Sequence, residues 1–412
     1  MEKSINEVKT MEAWQRLLDY VKINTQSDEN SGSTPSTACQ RELAKRLEEE
    51  MLALGLERVR REENGYVYGF LSASEGYEQS PCIGLIAHLD TAPDFCGKNV
   101  QPRVVERYDG GDIQLGHGRV LSPEQFPDLK EQVGHELIVT DGSTLLGADD
   151  KAGIAEILTA CERLITEQIP HCALAVCFCP DEEIGHGATL LDIPVFGADF
   201  AYTLDGDAMN ELNYETFNAS AAQWVVQGVN VHPGSAKDIM VNACLVAMEI
   251  NALLPPEEIP ARTEGYEGFF HLTDMSGSCD RAELKYIIRD HDEARYAARQ
   301  QRMRQIEKEI NARYGQGTAR LTITEQYRNM ACVLKDKMDI VRRAERAMER
   351  AGLQADIRPV RGGTDGAQLS CRGLPCPNLG TGGYGFHGPY EHISIQDMEK
   401  ATEIIINLIT EK

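Results

Sequence analysis

The stretch CFCPDEEIGHG, residues 177–187, runs an apolar segment through Pro180 into three consecutive carboxylates, Asp181, Glu182 and Glu183. Carboxylates crowded at the end of a buried element repel one another and lose hydration, so either water reaches them or a cation sits among them. Taken alone, the stretch reads as a solvated acidic loop. Other positions change that reading: His88 ends the apolar run of PCIGLIAHLD, Asp149 lies in the tight turn GADDKAG, Asp205 closes DFAYTLD, and His387 follows CPNLGTGG. Together His88, Asp149, Glu183, Asp205 and His387 offer two imidazoles and three carboxylates, donors that suit zinc. With one carboxylate bridging, the set could hold two divalent ions. Two such ions about 3.5–4 Å apart make a shared water nucleophilic near neutral pH. Asp90, two residues after His88, is placed to orient the imidazole. Each motif is weak by itself, and a lone histidine is more often structural than ligating. What they share is a position at the end of an apolar run or in a tight turn.

The elements that must place these residues follow from the hydrophobic patterns. Residues 40–56 have helical spacing with Gly55 near the end, and residues 152–167 form a second helix after GADDKAG. YVYGFL, the run Ile83 to Ala87, ALAVCFC, DFAYTLD and CPNLGTGG read as strands. This alternation predicts an open, mostly parallel α/β sheet, whose functional residues belong beyond the carboxyl ends of its strands. Adjacent strand residues face opposite ways, so Glu182 and Glu183 share one site only if the backbone has already turned, as Pro180 makes plausible. From Pro93 to about Leu145 the chain is rich in Gly, Asp and Pro, and reads as surface loop near a site. Between residues 215 and 327 the texture changes to four strand-like segments and two helices, at MVNACLVAMEINALL and HDEARYAARQQRMRQIEKEINARY. They predict a smaller two-layer α+β domain inserted into a discontinuous catalytic domain of residues 1–214 and 328–412.

At 412 residues the chain exceeds one ordinary compact domain, and 42% hydrophobic residues are enough for real cores. Its 65 acidic against 41 basic side chains give a formal charge of −24, which argues against nucleic acid as a partner. The N-terminal MEKSINEVKTMEAWQRLLDYVKI has helical spacing without a signal-type apolar core, and no later segment approaches a membrane span of roughly 18 apolar residues. Twelve cysteines show no CxxC pair and lie partly in apolar strands, which reads as reduced thiols in a cytoplasmic protein without a membrane partner.

The blocks AHLDTAPDFCGKNVQP, TLLGADDKAGIAEI, PDEEIGHGA, VHPGSAKDIMVNA, TEGYEGFFHL, YIIRD, RGGTDGAQLS and LPCPNLGTGGYGFHG run in order from about residue 80 to 390. They closely resemble the tripeptide aminopeptidases of the cocatalytic dizinc aminoacylase/carboxypeptidase metallopeptidase family. The resemblance implies a doubly wound catalytic sheet, an inserted lid domain and two Zn²⁺ per subunit, with Co²⁺ or Mn²⁺ left open. It implies His88 and Asp205 on one zinc, Glu183 and His387 on the other, Asp149 bridging them, and a cis peptide after Asp149. Glu182 is then the general base and Asp90 the second catalytic acid. His232 and Asn242 fall in a block that the family places on the lid near substrate. Arg289, ending KYIIR, suits the C-terminal carboxylate of a short peptide with a free N-terminus. It would act as a ruler for tripeptides, although an Arg paired with Asp290 or Asp292 reads equally as surface. Arg361 and the glycines of RGGTDG could approach substrate or simply form a turn. Two rivals stay open: a dizinc dipeptidase or N-acyl amino acid deacylase, and a non-catalytic peptide-binding module. The preferred N-terminal residue and the pairing of copies into a homodimer are not specified.

Overall fold

The computed structural model describes residues 10–412; the first nine residues of the N-terminal stretch lie outside the described residues. The chain divides into two compact units. The first runs to Tyr214 and resumes over Val333–Arg358 and Thr364–Lys412, and the second takes Glu215–Cys332 with Pro359–Gly363. Texture alone assigns all of 328–412 to the catalytic domain. Residues 328–332 and 359–363 instead fall in the second unit, because Thr216 N donates to Asn329 Oδ1 (3.0 Å), Phe217 N to Gly362 O (3.2 Å) and Val360 N to Glu215 O (2.9 Å).

In chain order the first unit contains α1 (Ala13–Tyr20), α2 (Gln40–Leu54), β1 (Glu57–Arg61), β2 (Val67–Leu71), β3 (Ile83–His88), α3 (Ala148–Thr166), β4 (Leu174–Cys179), β5 (Phe200–Gly206) and β6 (Glu211–Asn213). The second unit follows with β7 (Asn218–Gln227), α4 (Ala243–Ala252), β8 (Phe269–Gly277), β9 (Arg281–Asp290), α5 (Glu293–Tyr314) and β10 (Ala319–Tyr327). The first unit then resumes with α6 (Met338–Arg350), β11 (Asp356–Ile357), α7 (Asp365–Cys371), β12 (Asn378–Gly380) and α8 (Ile395–Thr410).

The large sheet has the order β1-β2-β4-β3-β5-β12-β6-β11. Its centre, β4, β3, β5 and β12, is parallel. Antiparallel pairings join β1 to β2, β2 to β4 and β6 to β12, so the sheet as a whole is mixed. Strand β4 shows why its sequence is apolar throughout. Leu174, Val176 and Phe178 enter the core shared with α1, α3 and α8, whereas Ala175, Cys177 and Cys179 enter the core of the other face with Tyr66, Tyr68 and Leu369. A strand covered on both faces loses the apolar–polar alternation of a half-exposed one. Its cysteines pack as small hydrophobes, and no disulfide joins cysteines among the described residues.

Residues 93–145, expected to be loop, contain short strands at Arg103–Val105, Ile113–Gly116, Arg119–Leu121 and Leu137–Val139. They enclose a cluster of Tyr108, Ile113, Leu115, Leu121, Leu129, Leu137 and Val139. Strands of three or four residues are too short to show a period, which is why the sequence pattern did not reveal them. Leu137–Val139 pairs with His392–Ser394, near the C-terminal helix α8.

The second unit is an antiparallel sheet of order β8-β9-β7-β10 with α4 and α5 packed on one face, the two-layer arrangement its sequence texture predicts. Trp224, Val246, Ile250, Met303, Ile306 and Ile310 form its core. No helix among the described residues is long and apolar enough to cross a membrane.

Candidate metal centre

His88 is the last residue of β3 and pairs with Cys179 at the end of β4; Asp205 lies at the end of β5, and His387 lies in the loop after β12. All sit at or beyond the carboxyl ends of parallel strands, where an open α/β sheet leaves a crevice. His88 Nε2 lies 2.9 Å from Asp149 Oδ1 and 3.5 Å from Asp205 Oδ1. His387 Nε2 lies 2.9 Å from Glu183 Oε2 and 3.3 Å from Asp149 Oδ2. Asp149 therefore presents one oxygen to each histidine. The potential ligand atoms fall into two groups, His88–Asp149–Asp205 and Asp149–Glu183–His387, each within 4.8 Å.

The charges in this cluster are tightly balanced. Burial pushes Glu183 up to about 8, with the Asp149 carboxylate adding to the shift, and burial also raises Asp205 and Glu182. Contacts with Asp149 and Glu183 push His387 up to about 11. Burial opposes charge on His88, yet Asp149, Asp205 and Asp90 hold its imidazole well above the usual range. Glu183 Oε1 is buried without a hydrogen-bond partner, the condition expected of a carboxylate oxygen with a ligating task. The donor types, the two-sided Asp149 and this orphan oxygen fit a pair of divalent cations.

Local structure explains how adjacent glutamates come to one place. Asp181 adopts a left-handed conformation (φ 62°), and residues 182–184 form a single 3₁₀ turn, so the strand has ended before Glu182. Asp181 is buried; its carboxylate accepts from Ser36 N (2.7 Å), Ser36 Oγ (2.6 Å) and Gln40 Nε2 (2.6 Å), which anchors the turn to the start of α2. Asp90 accepts from Glu182 N (3.0 Å) and Glu183 N (3.3 Å). The closest acceptor to His88 Nδ1 is the Asp90 carbonyl at 3.1 Å, with the Asp90 carboxylate at 3.4 Å. Asp90 thus orients the imidazole and holds the backbone of both glutamates.

The turn carrying Asp149 has its own tethers. The Asp149–Asp150 peptide is cis. Asp150, adjacent to Asp149 but outside both ligand groups, accepts from His88 N (3.1 Å) and Gly153 N (3.2 Å). Glu391 accepts from three backbone amides of residues 146–149. Buried Asp365 accepts from Cys179 Sγ at 3.1 Å, and a Cβ on Gly187 would collide with its carboxylate. Sequence reasoning passed over Asp150, Glu391 and Asp365 as functional positions. Asp150 and Asp365 lay inside motifs that were recognised, but nothing local distinguishes Glu391.

The four candidates of the second unit are engaged in local structure. His232 is exposed, and its Nδ1 accepts from Gly234 N (3.1 Å). Asn242 caps α4, its Oδ1 accepting from Cys244 N (3.0 Å) and Leu245 N (3.4 Å). Arg361 donates to the carbonyls of Gly265 (2.7 Å) and Glu267 (2.8 Å) and to Thr263 Oγ1 (2.9 Å), and it lies over the Phe217 ring. Arg289 is buried; its Nη1 donates to the carbonyls of Ser220 (3.2 Å) and Ile288 (3.0 Å), and its guanidinium lies 5.3 Å from the Tyr327 ring centre. Asp290 is occupied by Arg295 and Arg299, so the surface pair with Arg289 does not form.

An α/β sheet whose strand ends gather two histidines and two carboxylates around one shared aspartate offers the donor set of a metal-dependent hydrolase. The chain belongs to peptidase family M20/M25/M40, whose pattern matches residues 131–411. It is 53% identical over 396 residues to a protein named peptidase T from Clostridium perfringens (strain 13 / Type A), covering 96% of this chain and 97% of the relative. Two solved structures share the fold over 97% of both chains with a TM-score of 0.77. They are aminopeptidase PepT from Bacillus cereus ATCC 10987 at 23% identity and a tripeptidase from Staphylococcus aureus at 22%.

Proposed function

We propose that this peptidase releases the N-terminal residue from tripeptides, using two divalent cations held by His88 and Asp205 on one side, Glu183 and His387 on the other, and Asp149 between them. The observation that carries the reading is Asp149, whose two carboxylate oxygens face two different imidazole–carboxylate groups. Zinc is the metal best matched by the mixed nitrogen and oxygen donors. When bound, two such ions would polarise the scissile carbonyl and make water acidic enough to attack.

The chain's own residues have distinct tasks. Glu182 takes the proton from the attacking water and returns it to the nitrogen of the leaving amine. Asp90 holds Glu182 through its backbone amide and keeps the His88 ring oriented. Asp181 keeps the turn in place through Ser36 and Gln40. From the second unit we assign Arg289 to the substrate's C-terminal carboxylate, since no carboxylate among the described residues pairs with it. His232 and Asn242 are assigned to substrate through the Nε2 and Nδ2 atoms that their local contacts leave unused, and Arg361 to tethering residues 263–267. The relative named peptidase T and the neighbours named aminopeptidase PepT and tripeptidase support the substrate class. The absence of disulfides among the described residues supports a reducing, cytoplasmic setting.

The test is zinc-loaded hydrolysis of a free tripeptide, its dipeptide, its tetrapeptide and its N-acetylated form, with the products identified. Release of the N-terminal residue from the tripeptide alone is the expected result. Cleavage of the dipeptide or the acetylated peptide would move the assignment to a dipeptidase or deacylase, and no cleavage of any would leave a peptide-binding module.

A further inference from the structure

Helix α3 begins in an unusual way. Gly147, in a left-handed conformation (φ 81°), occupies the N-cap position without a side chain to cap the helix, and Asp149 and Asp150 depart from helical φ/ψ. The first amides of a helix have no acceptor within it, so an external group must satisfy them when they are buried. Glu391 supplies that group. Its Oε2 accepts from Leu146 N (2.7 Å) and Gly147 N (2.8 Å), and its Oε1 accepts from Asp149 N (3.0 Å). The residue is 1% exposed, so its charge is desolvated, and these amides, the positive end of the helix and the nearby buried Lys151 ammonium compensate it.

The origin of this carboxylate matters as much as its target. Glu391 lies four residues after His387, and its own N–H donates to Gly388 O (3.3 Å). The next residue, His392, is held by Asp128 (2.7 Å) and the Tyr390 carbonyl (2.8 Å), and His392–Ser394 pairs with Leu137–Val139. One side chain therefore joins the turn carrying Asp149 to the fixed end of the loop carrying His387. Asp149 belongs to both ligand groups, so displacement of its backbone disturbs both.

We propose that Glu391 is a positioning residue for the metal centre: it sets the spacing between Asp149 and His387 without itself ligating. This rests on the two-cation reading above. The competing role is plain structural support, which would lower stability and leave the centre's properties alone.

The experiment compares wild type with Glu391→Gln, which keeps the shape but replaces one acceptor by a donor, and Glu391→Asp, which keeps the charge but shortens the reach. Three quantities are read on the full chain. They are amide exchange of residues 146–149 in metal-free protein, zinc affinity by competition with a chelator, and kcat and KM at saturating zinc. Glu391→Gln is expected to speed exchange at these amides by about tenfold or more and to weaken zinc by about 10–100-fold, the usual cost of disturbing groups that orient ligands. It should lower kcat more than KM changes, and Glu391→Asp should recover part of the zinc affinity. If Glu391→Gln does not fold, Glu391→Asp is judged on the same three quantities. Unchanged exchange and zinc affinity with only a lower thermal midpoint overturn the proposal while leaving the two-cation reading intact. A wild type that binds no zinc overturns both.

Discussion

The first and second units treat their polar residues in opposite ways. In the first, His88, Asp149, Glu183, Asp205 and His387 point their polar atoms at one another, while other groups hold their backbones: Asp90 for residues 182 and 183, Asp150 for His88, and Glu391 for Asp149. In the second, His232, Asn242 and Arg361 direct their side chains to nearby backbone groups. Separating the groups that orient from the groups that act leaves side-chain atoms available for chemistry. In the second unit one atom of His232 and one of Asn242 hold local structure, and His232 Nε2 and Asn242 Nδ2 are left over for a ligand. Arg289 stands apart within its unit, buried and matched to two carbonyls and the Tyr327 ring but, among the described residues, to no carboxylate.

That contrast can be broken most directly by removing the cations. Dialysis against a chelator should abolish turnover by about 10³-fold or more, since metal polarisation is worth several kcal/mol, and added zinc should restore it; persistence of turnover in metal-free protein would remove the basis for the comparison. Next comes Glu182→Gln, expected to cost about 10²–10⁴-fold in kcat while metal content, read by elemental analysis, stays at the wild-type level. Within the second unit, Arg289→Ala should raise KM for a tripeptide about tenfold or more and flatten the dependence on peptide length, as loss of a charge-assisted contact implies. Arg361→Ala sharpens the contrast from the other side. It should leave KM unchanged and lower the stability of the second unit by about 1–3 kcal/mol. Trp224, buried in that unit, reports this unfolding once Trp14 is replaced by Phe.

The smallest effect concerns pH. His291 is buried in the second unit, where its Nδ1 donates to the Thr216 carbonyl (3.1 Å) and its Nε2 has no partner. Burial pushes its imidazole down to about 4. The unfolded chain takes up this proton near 6.5, so stability is fully present above about pH 6.5 and is lost as pH falls toward 4, by at most on the order of 3 kcal/mol. Denaturation series followed through Trp224 should show this slope in wild type and its reduction in His291→Gln. Equal slopes would show that other groups dominate.

The proposed ligand set was legible as a candidate because its members interrupt local patterns: a histidine or carboxylate stands where an apolar run ends, and the glycines of GADDKAG mark a turn. The four strands and two helices of the second unit were legible for the same reason, their segments being long enough to display a period. Glu391 was not, because its partners at 146–149 are far away in sequence, and Gly388-Pro389 beside it signals a turn without pointing to that contact. The local contacts of Arg361 and Asn242 were hidden differently. Their residue types suit a substrate, and only the placement of nearby carbonyls and amides determines whether those types are already satisfied.

By itself the sequence determined which segments become strands and helices and which residue types lie at their ends, since periodicity and turn chemistry act over a few residues. Tertiary structure decided which of those residues meet. It turned the chain at Asp181 so that adjacent glutamates could serve one site, aimed the two oxygens of Asp149 at two histidines, and brought Glu391 back to the start of α3. Those outcomes depend on distances between atoms that are remote in sequence, set by the packing of the parallel strands and the helices that cover them.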